Sequence, residues 1–362
     1  MGSPKSLYVH IPFCASICSY CDFPKVIYRQ TWAEDYLRSL FIELDSLGDI
    51  GLLDTIYIGG GTPNCLPIDL LESLLKRLEK HLKPDGEFSI EANPEFVSKE
   101  QGMLFKKYRV NRVSIGMQSS RPELLKLCNR RHDFAAVMRA VKTLRGVGIN
   151  NISLDLIYAL PNETKEQALE DVAKAVSLNP DHISAYSLIL EDGTSFKAKG
   201  IVESSQEIQA EQYEAVRGAL EEAGYRRYEF SSFAKDGKKC RHNLVYWRDE
   251  QYYAIGMGAS GYVDNTRFKN TSNLHKYLEG ERKVDIDEVT PKEDREYFFL
   301  TNLRLEEGFA ISDFNKRFNA DFEKEYAPQI AKLQDLTIIE DGRFKLKPEK
   351  LILLDSVLIE LF

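Results

Sequence analysis

The sequence predicts an α/β protein with a parallel β-sheet at its centre and a smaller, mainly helical unit after it. Short strand-like segments alternate with helix-like segments over the first 230 residues. Six such strand–helix units in series indicate a parallel sheet covered by helices, arranged as a full or a partial barrel. This alternation stops near residue 233, where the composition also changes.

The predicted strands are rich in β-branched and aromatic residues, as buried parallel strands usually are. They cover residues 7–11, 55–58, 87–91, 112–117, 151–157, 182–190 and a last segment, 227–233. The predicted helices lie between them, at 33–47, 68–81, 99–108, 134–146, 165–177 and 207–223. Helix 68–81 has the clearest helical period, because Leu71, Leu74 and Leu78 recur on one face.

Three units are predicted along the chain. Residues 1–234 form the barrel, residues 235–285 are an aromatic and glycine-rich segment that packs on it, and residues 286–362 form the C-terminal domain. This last unit is predicted to contain three helices followed by a β-hairpin. The hairpin covers residues 337–346, and Asp341 and the glycine after it form its turn. Helices followed by a small hairpin predict a winged-helix-like domain. Its acidic context favours a structural or partner-binding role over DNA binding.

Composition restricts the function classes. Of 362 residues, 43% are hydrophobic and 29% are charged, and the net charge is −8, so a sizeable core is expected and nucleic acid is not. No secretory signal opens the chain and no apolar run has the length of a membrane span, which predicts a cytoplasmic protein. Residues 351–362 are apolar but carry two acidic residues, which favours a packing helix over a membrane contact.

Three cysteines near the N-terminus carry the strongest chemical signal. Cys14, Cys18 and Cys21 have the spacing C-x3-C-x2-C. A cubane iron–sulfur cluster normally takes four cysteine ligands, so three would leave one iron open for a ligand. A closed zinc site with His10 as the fourth ligand is an alternative, and a single disulfide with one spare thiol is another.

Further polar residues fall at the carboxyl ends of successive predicted strands, where parallel barrels bind ligands. They are Gly60, Gly61, Thr62, Glu91, Gln118, Arg130 and Asp155. The glycines let the backbone approach a ligand closely, Glu91 suits an ammonium group or ribose hydroxyls, and Arg130 suits a carboxylate. Gln118 and Asp155 offer acceptors for ribose hydroxyls. The set suits a zwitterionic, nucleotide-like ligand, and no dinucleotide or P-loop motif is present.

These segments resemble the radical S-adenosylmethionine (SAM) superfamily, and most closely its coproporphyrinogen-oxidase-like branch. The matching runs are YVHIPFC (8–14), GGGTP (59–63), EANP (91–94), SIGMQ (114–118), RRH (130–132) and DLIYALP (155–161). The resemblance implies a partial (β/α)6 TIM-like barrel and a [4Fe–4S] cluster on Cys14, Cys18 and Cys21. It also implies SAM contacts at Tyr8, Gly60, Gly61, Thr62, Glu91, Gln118, Arg130 and Asp155.

Two sequence features distinguish the members of that branch. The oxygen-independent coproporphyrinogen III dehydrogenases carry a fourth cysteine where this chain has Phe23, whereas the run Cys21-Asp22-Phe23 resembles the HemW-type haem chaperones. The run HNLVYW (242–247) matches the HNxxYW signature of the same family, and this resemblance implies His242 as a haem ligand. Cys240 could compete as a ligand, and a histidine that merely caps a turn is the plainer alternative.

The resemblance therefore implies a haem chaperone that holds a cluster and SAM and delivers haem to haem-requiring acceptors, with membrane-associated respiratory enzymes among the candidates. A coproporphyrinogen III dehydrogenase and a zinc-stabilised interaction protein are the alternatives, and a radical SAM enzyme with an unrelated substrate stays open. The sequence does not decide whether SAM is cleaved, and a homodimer is compatible with it.

Overall fold

The structure, a computed structural model, describes residues 3–362. Six parallel strands form the central part of one nine-stranded sheet, and the predicted partial barrel is confirmed. The six strands are β1 (Ser6–Ile11), β2 (Leu53–Gly60), β3 (Leu82–Ala92), β4 (Arg112–Gln118), β5 (Asn151–Tyr158) and β6 (His182–Ser187). They pair in chain order, and the first five extend to or beyond their predicted bounds because neighbouring strands complete their hydrogen bonds. Strand β6 ends at Ser187, three residues before the predicted end at residue 190.

Helices cover the outside of this sheet. They are α1 (Gln30–Ser46), α2 (Ile68–Glu79), α3 (Lys99–Lys107), α4 (Pro122–Leu127), α5 (Phe134–Gly146), α6 (Lys165–Ser177), α7 (Ser195–Ala198) and α8 (Gln206–Glu222). Side-chain caps define several starts: Asp133 accepts from the amide of Ala136, and Thr164 forms a capping box with Gln167. The short helices α4 and α7, of six and four residues, were not predicted, since segments this short show no helical period.

The strands alternate apolar and polar side chains, and the polar face points inward. The inward positions are Tyr8 and His10 of β1, Thr55, Tyr57 and Gly59 of β2, Glu87, Ser89 and Glu91 of β3, Arg112, Ser114 and Gly116 of β4, Ser153 and Asp155 of β5, and His182 and Ser184 of β6. The apolar positions between them are buried against the helices in the main core. A closed (β/α)8 barrel fills its interior with branched apolar side chains, whereas this one leaves a polar interior.

The predicted last strand, 227–233, is divided into two. Strands β7 (Arg226–Arg227) and β8 (Ser232–Ala234) form a hairpin, and β8 pairs antiparallel with β6. The opposite edge of the sheet gains β9 (Tyr253–Ile255), which pairs parallel with β1 and was not predicted because three residues give no periodic signal. The middle segment thus supplies a strand of the barrel sheet.

The rest of the middle segment holds helix α9 (Arg241–Trp247), helix α10 (Leu274–Leu278) and an antiparallel three-stranded sheet whose last strand continues three residues past the predicted boundary at residue 285. That sheet contains β10 (Ser260–Val263), β11 (Thr266–Asn270) and β12 (Lys283–Glu288). Asn270 and Gly256 both bond the buried carboxylate of Glu43 on α1, at 2.7 and 2.9 Å. The middle segment is therefore fastened to the barrel by buried hydrogen bonds.

The C-terminal part combines helices with a three-stranded sheet. Its elements are α11 (Pro291–Asn302), β13 (Phe309–Ala310), α12 (Ile311–Phe318), α13 (Phe322–Glu325), α14 (Ala327–Lys332), β14 (Thr337–Glu340), β15 (Arg343–Leu346) and α15 (Leu354–Leu361). The hairpin β14–β15 lies where the Asp341-Gly342 turn predicts it. A cluster of phenylalanines, Phe299 and Phe314 among them, fills its core, and α15 buries Val357 and Leu361 against that core.

Candidate functional site

A cavity of about 360 Å³ opens at the carboxyl ends of the six parallel strands. Most of the residues singled out from the sequence line it: Cys14, Cys18, Cys21, Gly60, Gly61, Thr62, Glu91, Gln118, Arg130 and Asp155. Six separate strand ends contribute to this one site, as the parallel arrangement requires. Tyr8 and His242 are not among the lining residues; both lie behind the cavity wall in the polar interior.

The cysteine loop follows β1 and is held by backbone contacts. Residues Phe13–Cys14 pair in parallel with Val26–Ile27, and the amide of Ser19 donates to the carbonyl of Cys128 at 3.0 Å. All three thiols are free, with Cys14 buried and the other two half-buried. Burial raises the pKa of Cys14 and raises that of Cys21 to about 11. Cationic metal at this site would reverse these shifts by favouring thiolates.

The three free thiols are the donors that a cubane cluster takes, one iron to each thiolate. The neighbouring loop is shaped to the thiols: a Cβ on Gly61 would lie 2.9 Å from Sγ of Cys14. Only glycine leaves that space open.

His10 has both ring nitrogens engaged. Its Nε2 lies 2.8 Å from the carbonyl of Pro24 and its Nδ1 lies 2.9 Å from the hydroxyl of Tyr8. Burial lowers the pKa of His10 to about 4, so the ring is neutral at physiological pH. It therefore shapes the cysteine loop, and in this arrangement it offers no free nitrogen as a fourth zinc ligand. Tyr8 is the partner that fixes the ring.

Glu91 is positioned by two donors. The hydroxyl of Tyr57 donates to its Oε1 at 2.9 Å, and the amide of Gly60 donates to its Oε2 at 3.1 Å. Gly60 has φ near +113°, and a Cβ there would meet the His10 ring at 2.6 Å, so this turn needs glycine. Burial raises the pKa of Glu91 to about 7, against the lowering effect of Tyr57. A bound ammonium group would restore the carboxylate form.

Arg130 connects the cysteine loop to β4. Its Nη1 donates to Sγ of Cys18 at 3.4 Å, while its Nη2 donates to Oδ1 of Asn93 at 2.9 Å and to the carbonyl of Gly116 at 2.8 Å. A Cβ on Gly116 would lie 2.8 Å from that Nη2, so glycine makes room for the guanidinium. Its Nε is buried and has no hydrogen-bond partner in the described part of the chain. A carboxylate ligand would satisfy it.

Gln118 and Asp155 complete the polar wall. Gln118 has φ near +60°, which places the end of β4 in the left-handed region beside the cavity. The Asp155 carboxylate accepts from Oγ of Ser114 at 2.9 and 3.0 Å and from Oγ of Ser153 at 3.4 Å. Burial raises the pKa of Asp155, while the serine hydroxyls oppose that rise. Both side chains offer acceptors at the cavity wall, and their contact with ribose hydroxyls stays a prediction.

His242 lies in the floor of the barrel and is fully buried. Its Nδ1 is 2.7 Å from Oγ1 of Thr55 and its Nε2 is 2.8 Å from the hydroxyl of Tyr246. The carboxylate of Glu87 caps the first turn of α9 by accepting from the amides of Arg241 and His242, at 3.1 and 3.0 Å. Burial lowers the pKa of His242 to about 3. Neither ring nitrogen faces the cavity, so its role as a haem ligand stays a prediction.

Several lining residues were missed from the sequence. The structure adds Tyr57, Arg112, Ser114, Ser153, His182 and Ser184 to the cavity wall. All six are strand residues on the inward face. Alternation of polar and apolar residues along each strand was the available signal, because inward positions recur at every second residue.

Comparison with known proteins gives the family. The radical SAM superfamily matches residues 8–175, and the HemN C-terminal domain matches residues 289–351. The chain is 38% identical over 352 residues to the heme chaperone HemW of Lactococcus lactis. This alignment covers 95% of the present chain and 93% of the Lactococcus lactis protein. It is 38% identical to the heme chaperone HemW of Bacillus subtilis, and that alignment covers 87% of each chain. It is 37% identical to the heme chaperone HemW of Escherichia coli, and that alignment covers 86% of this chain and 85% of the other.

A solved structure supports the fold. Coproporphyrinogen III oxidase (HemN) from Escherichia coli superposes with a TM-score of 0.86 at 21% identity, covering 99% of this chain and 90% of that one. At that identity the likeness shows the fold alone. The sequence similarity to the HemW proteins, by contrast, extends over nearly the whole chain. The chain therefore belongs to the HemW family of radical SAM proteins.

Proposed function

We propose that this protein is a haem chaperone that binds haem and passes it to haem-requiring acceptor proteins, with a [4Fe–4S] cluster and SAM as resident groups. The observation that carries the proposal is the similarity to proteins named heme chaperone over 95% of the chain. Phe23 agrees with it, since it occupies the position where the related dehydrogenases carry a fourth cysteine. Membership of the radical SAM family itself implies the cluster and SAM.

The resident groups have matching residues. Cys14, Cys18 and Cys21 would hold three irons, and the fourth iron would be open to the amino and carboxylate groups of SAM. Glu91 and Arg130 supply a hydrogen-bond acceptor and a guanidinium for this zwitterion. Gly60, Gly61 and Thr62 lie along the same wall, and Gln118 and Asp155 would accept hydrogen bonds from the ribose hydroxyls. Tyr8 does not line the cavity and would act indirectly, through its hydrogen bond with His10.

The cavity mouth suits the flat apolar face of haem. Three large apolar side chains remain exposed there: Phe23, Tyr186 and Ile189 are 60%, 43% and 64% exposed. An apolar rim around a polar cavity is typical of a ligand site. Haem ligation by His242 would require its ring to give up Thr55 or Tyr246 first. We propose the mouth as the place where haem first makes contact.

The acceptor and the location are also proposals. Haem-requiring enzymes, including membrane-associated respiratory enzymes, are the expected acceptors. All six cysteines are free thiols, which fits a reducing compartment such as the cytoplasm. No helix within residues 3–362 is both long enough and apolar enough to traverse a lipid bilayer. A homodimer is a further part of the proposal, and light scattering tests it.

The decisive experiment is anaerobic reconstitution with iron and sulfide, followed by haem titration with and without SAM and reductant. We expect stable haem uptake and transfer to a haem-free acceptor enzyme, measured by its recovered activity. The same preparation is incubated with coproporphyrinogen III. Formation of protoporphyrinogen IX without haem uptake would replace the chaperone proposal by the dehydrogenase.

A further inference from the structure

The cavity continues below the predicted SAM contacts into the polar interior of the barrel. Its deeper wall is formed by side chains from β4, β5, β6 and the start of α9. These are Arg112, Ser153, His182, Ser184, Cys240 and Asn243. The depth of the cavity thus extends from the strand ends to the first inward layer of the barrel, past Asp155. The predicted SAM contacts account for its upper part only.

Arg112 is the notable group in this deep part. Its side chain is 2% exposed, and its Nη1 donates to Oδ1 of Asn151 and to the carbonyl of Lys238, both at 3.2 Å. Its Nε and Nη2 donate to no residue between 3 and 362. Burial lowers the pKa of Arg112, but charge interactions with Cys240 and Glu87 raise it above its ordinary value, so the guanidinium stays charged. These interactions act through space and leave the hydrogens of Nε and Nη2 without an acceptor, and buried donors are costly to leave unpaired.

The nearby carboxylates are committed elsewhere. Glu87 accepts from the amides of Arg241 and His242 at the start of α9 and from the thiol of Cys240 at 3.6 Å. Asp155 accepts from Ser114 and Ser153. Arg112 therefore faces the cavity with free N–H groups on Nε and Nη2, while the neighbouring serine hydroxyls already donate to Asp155. The planar edge of a guanidinium is the donor that a carboxylate prefers.

We propose that Arg112 anchors a carboxylate-binding subsite in the floor of the barrel, distinct from the predicted SAM contacts above it. The ligand class is an organic carboxylate that enters through the cavity mouth. A haem propionate and a free small carboxylate share this chemistry. The haem case rests on the proposed function, whereas the subsite itself does not.

Haem titrations separate the two sources. The reconstituted protein and its Arg112→Gln and Arg112→Lys variants are titrated with haem and with haem dimethyl ester, whose propionates carry no charge. We expect Arg112→Gln to weaken haem binding by about tenfold or more and to leave the ester unaffected. Arg112→Lys keeps the positive charge, so it should retain part of the preference for haem over its dimethyl ester. SAM affinity should be the same in all three proteins.

A second arm needs no haem. With SAM saturating, propionate should raise the unfolding temperature of the wild-type protein, and its neutral isostere propionamide should not. Arg112→Gln should abolish the selective effect. Arg227→Gln is the matched control, because that arginine is equally buried but already faces Glu306 at 3.4 Å.

The outcomes distinguish the two proposals. Propionate-selective stabilisation without haem uptake leaves the subsite standing and removes the chaperone proposal. Haem uptake that is equally strong for the ester, with no selective effect of propionate on the wild-type protein, overturns the subsite. If Arg112→Gln and Arg227→Gln lose the selective effect of propionate to the same extent, Arg112 has a structural role only, and the subsite proposal is also overturned.

Discussion

The hydroxyl of Thr55 lies 2.7 Å from Nδ1 of His242, and this contact joins strand β2 to helix α9 beneath the cavity. The second ring nitrogen is satisfied by Tyr246, and the ring stacks on Tyr57 with 5.2 Å between centroids. His242 therefore has a structural function in the barrel floor, whatever else it does. Any experiment on haem ligation has to separate the two.

Replacing His242 by alanine should destabilise the fold. The change leaves the hydroxyl of Tyr246 without its partner, at a cost of about 1–3 kcal/mol, whereas Thr55 keeps its hydrogen bond to Oγ of Ser6 at 2.9 Å. Denaturant unfolding of the apoprotein measures this directly. His242→Gln is the control, since an amide can bond both hydroxyls but is a poor ligand for haem iron. Haem binding that is lost in the alanine variant and regained with glutamine would count against ligation.

The same histidine should make stability fall in acid. Burial lowers the pKa of His242 to about 3, while the unfolded chain has an ordinary histidine pKa near 6.5. The unfolded state therefore takes up this proton first, and its stabilising contribution is lost as the pH falls below 6.5. Between pH 7 and pH 5 the free energy of unfolding should drop by about 2 kcal/mol more in the wild type than in His242→Gln. Parallel pH curves for the two proteins would contradict the neutral buried ring.

Loss of any cluster cysteine should abolish the chromophore. Serine at Cys14, Cys18 or Cys21 removes one of three thiolate ligands, so iron and sulfide content and the brown absorbance should fall to background after anaerobic reconstitution. Cys65→Ser is the matched control, because Cys65 is a free thiol on the adjacent loop whose Sγ lies 3.5 Å from the carbonyl of Phe13. Stoichiometric zinc without iron in the wild type would favour the interaction-protein alternative.

Glu91 and Tyr57 should act together on SAM. Glu91→Gln removes the charge that pairs with an ammonium group, and SAM affinity should fall by about tenfold or more in calorimetry. Tyr57→Phe removes the hydroxyl that orients Glu91 at 2.9 Å, so it should have a smaller effect. The double variant should resemble Glu91→Gln alone. Strictly additive losses would show that Tyr57 acts independently of Glu91.

Asp249 should fasten the C-terminal domain to the middle segment. Its carboxylate, 1% exposed, accepts from Arg317 of α12 at 2.7 Å and also bonds Arg267 of β11. Asp249→Asn leaves two arginines without this anion and should reduce the free energy of unfolding by about 3 kcal/mol. The exposed pair Arg38–Asp35 is the control, and Arg38→Ala should change stability by less than about 1 kcal/mol.

The sequence predicted the barrel well because its helices and strands are local and periodic. Helices α5 and α6 begin and end where predicted, since Asp133 and Thr164 are recognisable caps. Strand β9 escaped prediction because it is created by pairing with β1, which no local pattern encodes. The motif residues at the strand ends were found because each follows a visible strand.

The surroundings of those residues could not be predicted in the same way. Arg112 lies at the start of β4 and has the pattern of an ordinary strand residue. Its free N–H groups arise because Glu87 and Asp155 accept hydrogen bonds from other donors. The engagement of His242 by Thr55 joins residues 187 positions apart. Such contacts are products of the tertiary fold, and a spacing rule carries no information on them.

The outward apolar and inward polar faces of the strands separate the source of stability from the source of recognition. The apolar faces pack against the surrounding helices, while serines and other small polar groups line much of the interior. A change of one interior serine removes little buried hydrocarbon. The barrel can therefore exchange interior side chains, and with them its cargo, at small cost to folding, which makes it a tolerant scaffold for altering ligand preference by directed substitution.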